Sequence, residues 1–189
     1  MSYHLRTGLA FFLTAGLFAV CDTHHHYEGA HQHGVVTVFI AVDGPSDLTV
    51  DLRGPAESFY GFEHEPTNPE EQAAQDAALS KLRDQFTDLF IFPADSHCQV
   101  SQHEVVVEMP AADDHDHENE TSAEHAEHSG EHREVHGIYA VQCQGVLEGK
   151  TLAIALTEHF TRIETVNVQL LGSREQRGFD FEGRGEIEL

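Results

Sequence analysis

The apolar residues of the chain fall into short runs that predict mainly β-structure. Residues 35–42 (VVTVFIAV) are rich in β-branched side chains, which predicts a well-buried strand. After a turn at residues 43–46, apolar and polar residues alternate over residues 48–53, so a half-exposed strand is expected to return antiparallel to the first. Further strands are predicted over residues 98–108, 135–143, 164–171, 178–181 and 185–189.

A single long helix is predicted over about residues 68–86. Asn68 is suited to the N-cap, Pro69 to the first helical position and Glu71 to the third. A further helical turn is expected over residues 157–162. Strands therefore dominate, and the predicted fold class is α+β: a mainly antiparallel, sandwich-like β-sheet with one well-defined helix packed across it and a long histidine-rich loop.

The N-terminal residues 1–21 are expected to form a signal peptide. Arg6 precedes an apolar run over residues 9–20, and the chain turns polar at Asp22. That run is too short to span a bilayer, so no membrane span is expected and the chain is predicted to be exported. The alternative is a lipid anchor at Cys21. Residues 22–189 are predicted to form a single domain.

Two cysteines follow the predicted signal peptide, Cys98 and Cys143. An even pair in an exported chain predicts one disulfide, and the alternative is two buried thiols. If residues 98–108 and 135–143 form a hairpin, Cys98 facing Cys143 sets a register that places Val105 opposite His136.

The charge balance points towards cations as partners. Asp and Glu number 33 against 10 Lys and Arg, for a formal net charge of -23. Such a surface repels nucleic acid, which excludes it as a partner, and it concentrates cations. Carboxylates beside histidines can also complete a mixed metal-ligand set.

Histidines and acidic residues are concentrated in an insert over residues 110–134, which is expected to be disordered because it has almost no large apolar side chain. This concentration of histidines beside carboxylates predicts binding of several Zn²⁺ ions, with Ni²⁺ or Cu²⁺ as the nearest alternatives. A solvated acidic linker is the alternative without metal. The candidate ligands in and beside the insert are His115, His117, His125, His128, His132 and His136, with Asp116 and Glu134 as carboxylate candidates.

A second group of histidines lies before the first strand. His31 and His33 abut residues 35–42, and alternation along an extended chain would point both imidazoles to one face, which predicts one ordered site. His64, in a glycine- and aromatic-containing loop, is a further candidate ligand, and the neighbouring Glu63 is a candidate carboxylate ligand or partner of a ligand. His97, His103 and His159 are single histidines for which a structural role is expected.

Catalysis has weaker support than metal binding. The chain contains no HExxH and no GxSxG pattern, and the two cysteines are expected to be paired. A metal-dependent hydrolase or dismutase-like enzyme using His31, His33 and His64 is the alternative from another class. A surface interaction domain whose histidines sense pH is a third hypothesis.

Several short motifs, in order, resemble the ZrgA-type family of bacterial periplasmic zinc-binding proteins. They cover most of the chain after the predicted signal peptide. They are HQHG (31–34), GFEHEP (61–66), Cys98, HREVHGIYAVQC (132–143) and TRIETVNVQLL (161–171).

The resemblance implies a periplasmic protein that binds zinc and assists its uptake beside a zinc ABC importer or that importer's binding protein, and we expect a non-enzymatic role. His31, His33 and His132 are the candidate ligands that match the family's motifs. Glu134 stands where relatives often carry Asp, which leaves its role as a ligand or as a partner of a ligand open. The histidine-rich insert varies in the family, so its individual residues are not carried over.

Overall fold

The computed structural model describes residues 32–109, 132–172 and 175–189. The strands in these residues form one six-stranded and one three-stranded sheet, as predicted for an α+β fold rich in β-structure. They are β1 (Val35–Val42), β2 (Asp47–Pro55), β3 (Phe90–Ile91), β4 (Gln99–Glu108), β5 (Glu134–Gln142), β6 (Thr151–Ile154), β7 (Thr165–Leu171), β8 (Gln176–Phe181) and β9 (Gly185–Glu188). No helix within these residues is long and apolar enough to cross a membrane.

The larger sheet has the strand order β4-β5-β2-β1-β7-β8. The predicted hairpin of β1 and β2 is present, with Ile40 opposite Val50. All neighbours are antiparallel except β1 and β7, which run parallel. The smaller sheet has the order β3-β6-β9. Its β3 and β6 were not predicted, because β3 has only two residues and β6 lies in a short apolar run without clear alternation.

Four short or medium helices accompany the sheets in the described residues: α1 (Ala56–Tyr60), α2 (Pro69–Asp84), α3 (Phe86–Leu89) and α4 (Leu156–His159). The prediction for α2 is confirmed at its start, since Asn68 caps the helix by accepting a hydrogen bond from Glu71 N, and Pro69 is its first residue. The helix ends at Asp84 rather than near residue 86, because Gln85 leaves helical geometry and a separate helix begins at Phe86.

The core lies on one face of the larger sheet. Val36, Val38 and Ile40 of β1 are fully buried, whereas Phe39 on the opposite face is 44% exposed. The predicted burial of β1 therefore applies to one face of the strand, because the strand is central but the helices and the smaller sheet pack on one side only. Tyr139 of β5 crosses this core and donates a hydrogen bond to the Leu82 carbonyl of α2. Burial raises the pKa of Tyr139, which keeps this donor protonated.

The hairpin of β4 and β5 carries the predicted disulfide between Cys98 and Cys143. Next to the disulfide the register is as predicted, with Gln99 opposite Gln142. A β-bulge at Ser101 then adds one residue to β4, so Val106 rather than Val105 lies opposite His136. The predicted register is therefore wrong by one residue beyond Ser101, and the bulge keeps Val105 on the core face.

Removing the disulfide tests how strongly it supports the hairpin. Cys98 and Cys143 are 45 residues apart in sequence, so replacing both with alanine should lower the free energy of unfolding by about 4 kcal/mol in the chain-entropy model. Guanidinium denaturation of the oxidised protein and of the double variant measures the difference. The reduced wild-type protein is the control and should match the variant; equal midpoints for oxidised and reduced protein would contradict the prediction.

Candidate metal centre

His33 lies in the turn that leads into β1. Gly34 follows it with a left-handed φ of 76°, and its N–H donates to Ser58 Oγ at 3.2 Å. The Gly34 carbonyl accepts from the N–H groups of Glu164 and Thr165, at 2.8 and 3.0 Å. The turn is therefore attached both to α1 and to the start of β7. This attachment places His33 Nδ1 3.4 Å from Glu57 Oε2 on α1.

Glu63 lies in the loop that follows α1. The helix ends at Gly61, whose left-handed φ of 98° turns the chain back across the site. The Glu63 side chain is only 13% exposed. One of its oxygens, Oε1, is buried without a hydrogen-bond partner among the described residues and lies 3.6 Å from His33 Nδ1. A buried carboxylate oxygen without a donor is unfavourable unless a cation or a proton reaches it.

His132 approaches the same carboxylate from the other side. Its Nδ1 lies 2.5 Å from Glu63 Oε2, although the two residues are 69 positions apart in sequence. The contact follows from the backbone, because the Arg133 carbonyl accepts from Ala56 N at 2.8 Å and β5 then pairs with β2. Glu63 is thus held between two imidazoles, one from each histidine-containing region of the sequence.

Two arginines border the site. Arg162 Nη1 donates to Glu57 Oε1 at 3.1 Å, and Arg133 Nη2 donates to Glu65 Oε2 at 2.6 Å. Nearby, burial raises the pKa of Tyr60; the charge of Arg133 opposes this rise and the charge of Glu63 adds to it, so the phenol stays neutral. The arginines partly balance the carboxylates but leave Glu63 Oε1 free of any donor from the described residues.

The spacing of these atoms suits a metal ion between them. Zinc bonds of 2.0–2.2 Å to nitrogen and oxygen in a tetrahedron place the two ligand atoms about 3.3 Å apart. His33 Nδ1 lies 3.4 and 3.6 Å from the Glu57 and Glu63 oxygens, whereas the shorter contact of His132 is a hydrogen bond that a metal would lengthen. Within residues 32–109, 132–172 and 175–189, no three histidine, cysteine or acidic side chains already surround one point as a metal cage.

The structure separates the other described candidates from this pair of histidines. His64 stacks on Phe62, and its Nδ1 lies 2.8 Å from the Glu65 carbonyl and 4.0 Å from Glu71 Oε2. His136 lies on the face of β5 that points away from the core, between Asp51 and Glu108. Glu134 lies opposite Glu108 on the neighbouring strand. The remaining candidates lie outside the described residues: His31, His115, Asp116, His117, His125 and His128.

Sequence reasoning missed Glu57 and Arg162 at this site. Glu57 is an ordinary first-turn glutamate of a five-residue helix, and nothing in its local sequence distinguishes it from the many other acidic residues. Arg162 acts through a contact with Glu57 that spans 105 positions. Asp51 was placed on the polar face of its strand by alternation, but its contact with His136 depends on the pairing of β2 with β5.

A family model for ZrgA family zinc uptake proteins matches residues 30–185. The chain belongs to the ZrgA family. The matched region contains His31, His33, Glu63 and His132, so it covers both sides of the site described above. No curated protein matches the chain. The predicted relation to zinc is therefore confirmed at the level of the ZrgA family.

A substitution at Gly61 tests whether the turn before Glu63 requires glycine. A Cβ at Gly61 would lie 3.1 Å from Arg162 Nε, in addition to the strain of the left-handed conformation. We expect Gly61→Ala to lower the free energy of unfolding by about 1–3 kcal/mol.

Gly149→Ala is the matched control for Gly61→Ala. Gly149 also has a left-handed φ, of 73°, but a Cβ there meets nothing within 4 Å. Gly149→Ala should therefore lower the free energy of unfolding by about 1 kcal/mol, from the strain of the left-handed backbone alone. Urea denaturation of both variants gives the comparison; a Gly149 variant as unstable as the Gly61 variant would show that the Arg162 contact has no effect.

Proposed function

We propose that this ZrgA-family protein is exported to the periplasm, where it captures or buffers zinc and assists zinc uptake. Its ordered site would be formed by His33, Glu63 and His132, with His31 as a further ligand from the segment that precedes the described residues. The observation that carries the proposal is the position of the Glu63 carboxylate between two imidazoles, with one oxygen buried and without a donor.

The chemistry of these side chains favours zinc over the alkaline-earth cations. Imidazole nitrogen combined with carboxylate oxygen suits Zn²⁺, whereas Ca²⁺ and Mg²⁺ prefer oxygen ligands alone. Ni²⁺ and Cu²⁺ would also accept this set, and the ZrgA family description as zinc uptake proteins supports zinc among the three. Binding would replace the proton between His132 Nδ1 and Glu63 Oε2, since a ligand nitrogen must be deprotonated.

The histidine-rich insert is proposed to act as a collector of several ions. His132 stands at the point where this segment joins β5, two residues before the strand begins. An ion held by the histidines of the insert would therefore be bound by residues that are close in sequence to His132 of the ordered site. The net charge of -23 raises the local concentration of cations around both. Capture by the insert and tighter binding at His33, Glu63 and His132 would together suit a zinc buffer.

A zinc ABC importer, or the binding protein that serves it, is the proposed recipient of the ion. The proposal rests on the family description, which names zinc uptake. His33 and His132 are 64% and 59% exposed, so a partner could reach both imidazoles without unfolding the site. A site that buries its carboxylate and exposes its histidines is suited to exchange of the ion.

The contacts of His64 do not favour the enzyme hypothesis. That hypothesis needs His64 beside His31 and His33, with an open position on the metal. His64 instead stacks on Phe62 and faces the Glu65 carbonyl. The family is one of zinc uptake proteins and is not a known enzyme family. A non-enzymatic role is therefore the one we propose.

Loss of an imidazole tests the ordered site. We expect His132→Gln to weaken zinc binding at the tightest site by at least about tenfold, equivalent to about 1.4 kcal/mol. Glu63→Gln should have a similar effect, because it removes the charge that both imidazoles face. Competition with a chromophoric zinc chelator measures the tightest site separately from weaker ions on the insert.

His103→Gln is the matched control for these variants. His103 is an exposed histidine on β4, so its loss removes one imidazole without touching Glu63. The affinity of the His103→Gln variant for zinc should equal that of the wild-type protein. If His132→Gln, Glu63→Gln and His103→Gln all bind zinc as the wild type does, the ordered site does not exist as proposed.

Zinc affinity should also fall as the pH falls, because protons compete for the ligand nitrogens. With two imidazoles at the site, we expect a loss of roughly tenfold or more per pH unit where protons compete with the ion for both nitrogens. The sign follows from release of protons on binding. Chelator competition at several pH values gives the slope, which should be shallower for His132→Gln; an affinity that does not depend on pH would exclude imidazole ligands.

A further inference from the structure

A second group of ligand-type side chains lies on the outer face of the larger sheet. His136 of β5 is at its centre, with a side chain only 10% exposed. Its Nε2 lies 3.1 Å from Asp51 Oδ1 on β2, and its Nδ1 lies 3.2 Å from Glu108 Oε1 on β4. Three neighbouring strands thus each contribute one side chain, and the imidazole has a carboxylate at each nitrogen.

Arg53 holds Asp51 in place on this face. Its Nε and Nη2 donate to the two oxygens of Asp51, at 3.1 and 3.4 Å. The pKa of Arg53 is raised, first by its hydrogen bond to Asp51 and further by the charges of Asp51, Glu134 and Glu108, with burial opposing. Asp51 is therefore a fixed acceptor for an N–H on His136 Nε2. A carboxylate that accepts from one imidazole nitrogen commonly directs the other nitrogen to a metal.

A small cavity lies beside His136 and Glu108, the carboxylate that faces His136 Nδ1. The cavity has a volume of about 190 Å³ and is lined by Glu104, Val106, Glu108, His136 and Ile138. The 3.2 Å between Nδ1 and Glu108 Oε1 is close to the separation of about 3.3 Å expected for two ligand atoms on one tetrahedral zinc ion. Glu104 lines the same cavity and would reach the ion by rotation of its side chain.

The pairing of β4 with β5 places like charges opposite each other here. Glu108 is the register partner of Glu134 at the end of the hairpin. Two carboxylates in directly opposed positions destabilise a sheet unless a cation lies between or beside them. Arg53 of β2 lies close enough to feel the charges of Glu134 and Glu108, but its hydrogen bonds go to Asp51. One arginine therefore balances only part of the charge of these three carboxylates, and a further cation would be favourable on this face.

We propose that His136 Nδ1, Glu108 and Glu104 bind a second zinc-class divalent cation, with Asp51 orienting the imidazole through Nε2. The site is separate from His33, Glu63 and His132 and shares no ligand with them. It lies where β4 ends and β5 begins, at the base of the histidine-rich insert. An ion bound there neutralises the opposed glutamates at the point where the insert leaves and rejoins the sheet.

The tautomer and the zinc response of His136 test this site in the wild-type protein. Two-dimensional NMR of protein with ¹⁵N-labelled histidine, assigned with His136→Gln, should show His136 protonated at Nε2 alone before metal is added. Addition of Zn²⁺ should then shift the Nδ1 resonance. A tenfold excess of Ca²⁺ should leave this shift in place, because imidazole selects zinc over calcium.

Variants of the carboxylates give the quantitative test. Glu108→Gln should raise the Zn²⁺ concentration at half-maximal shift of His136 by at least about tenfold, and Asp51→Asn by about 10–100-fold. Glu186→Gln is the control, since Glu186 is an exposed glutamate on β9 and its loss changes the net charge equally. The control should titrate as the wild type does.

Two results would overturn the proposal. One is a His136 ring that carries a proton on both nitrogens and whose resonances do not shift in saturating Zn²⁺. That result would show that His136 is an imidazolium ion paired with Asp51 and Glu108, with no metal bound. The other is equal titration of Glu108→Gln and Glu186→Gln. The His132 resonances report the proposed ordered site independently: if they shift and those of His136 do not, only this inference fails.

Discussion

The pairing of β5 with β2 is the constraint on which both groups of histidines depend. Nine register pairs join these strands, from Asp47 with Gln142 to Pro55 with Glu134. At the end of this ladder the Arg133 carbonyl accepts from Ala56 N, which attaches the first turn of α1 to the residue after His132. On the outer face the same ladder sets Arg53 beside His136. A slip of one residue would turn His136 into the core and separate His132 from Glu63.

The balance of charge around Glu63 explains why this carboxylate is the centre of the site. Glu57 and Glu65 are each paired with an arginine, so their charges are largely compensated. Glu63 is the more buried carboxylate, and its ion-pair contacts within the described residues are with the two histidines. Burial of an anion without a cation is unfavourable, and neutral imidazole does not compensate it. A proton or a metal ion at this place would compensate the charge, which would link the proposed binding of zinc to the proton balance of the site.

Much of the fold was predictable because it depends on local pattern. Alternation along β2 and the capping residues of α2 predicted the first hairpin and the long helix, and the cysteine pair predicted the disulfide. The bulge at Ser101 was not predictable, because Ser101 lies in a polar run that accommodates either register. The same difficulty applies to Glu57 and Asp51: both are ordinary acidic residues until the sheet brings a histidine to them.

In the sequence the histidines form two groups, one before β1 and one before and within β5. In the structure they are grouped differently, by the part of the fold in which their side chains lie. His33 and His132 come from different groups and meet at Glu63, while His132 and His136 are four residues apart and have different partners. The reason is that the chain enters β5 between them, and the strand directs His136 to the outer face. Sequence proximity therefore does not predict which side chains each histidine contacts. The carboxylates that His33 and His132 face belong to α1 and the loop after it, whereas those that His136 faces belong to β2 and β4.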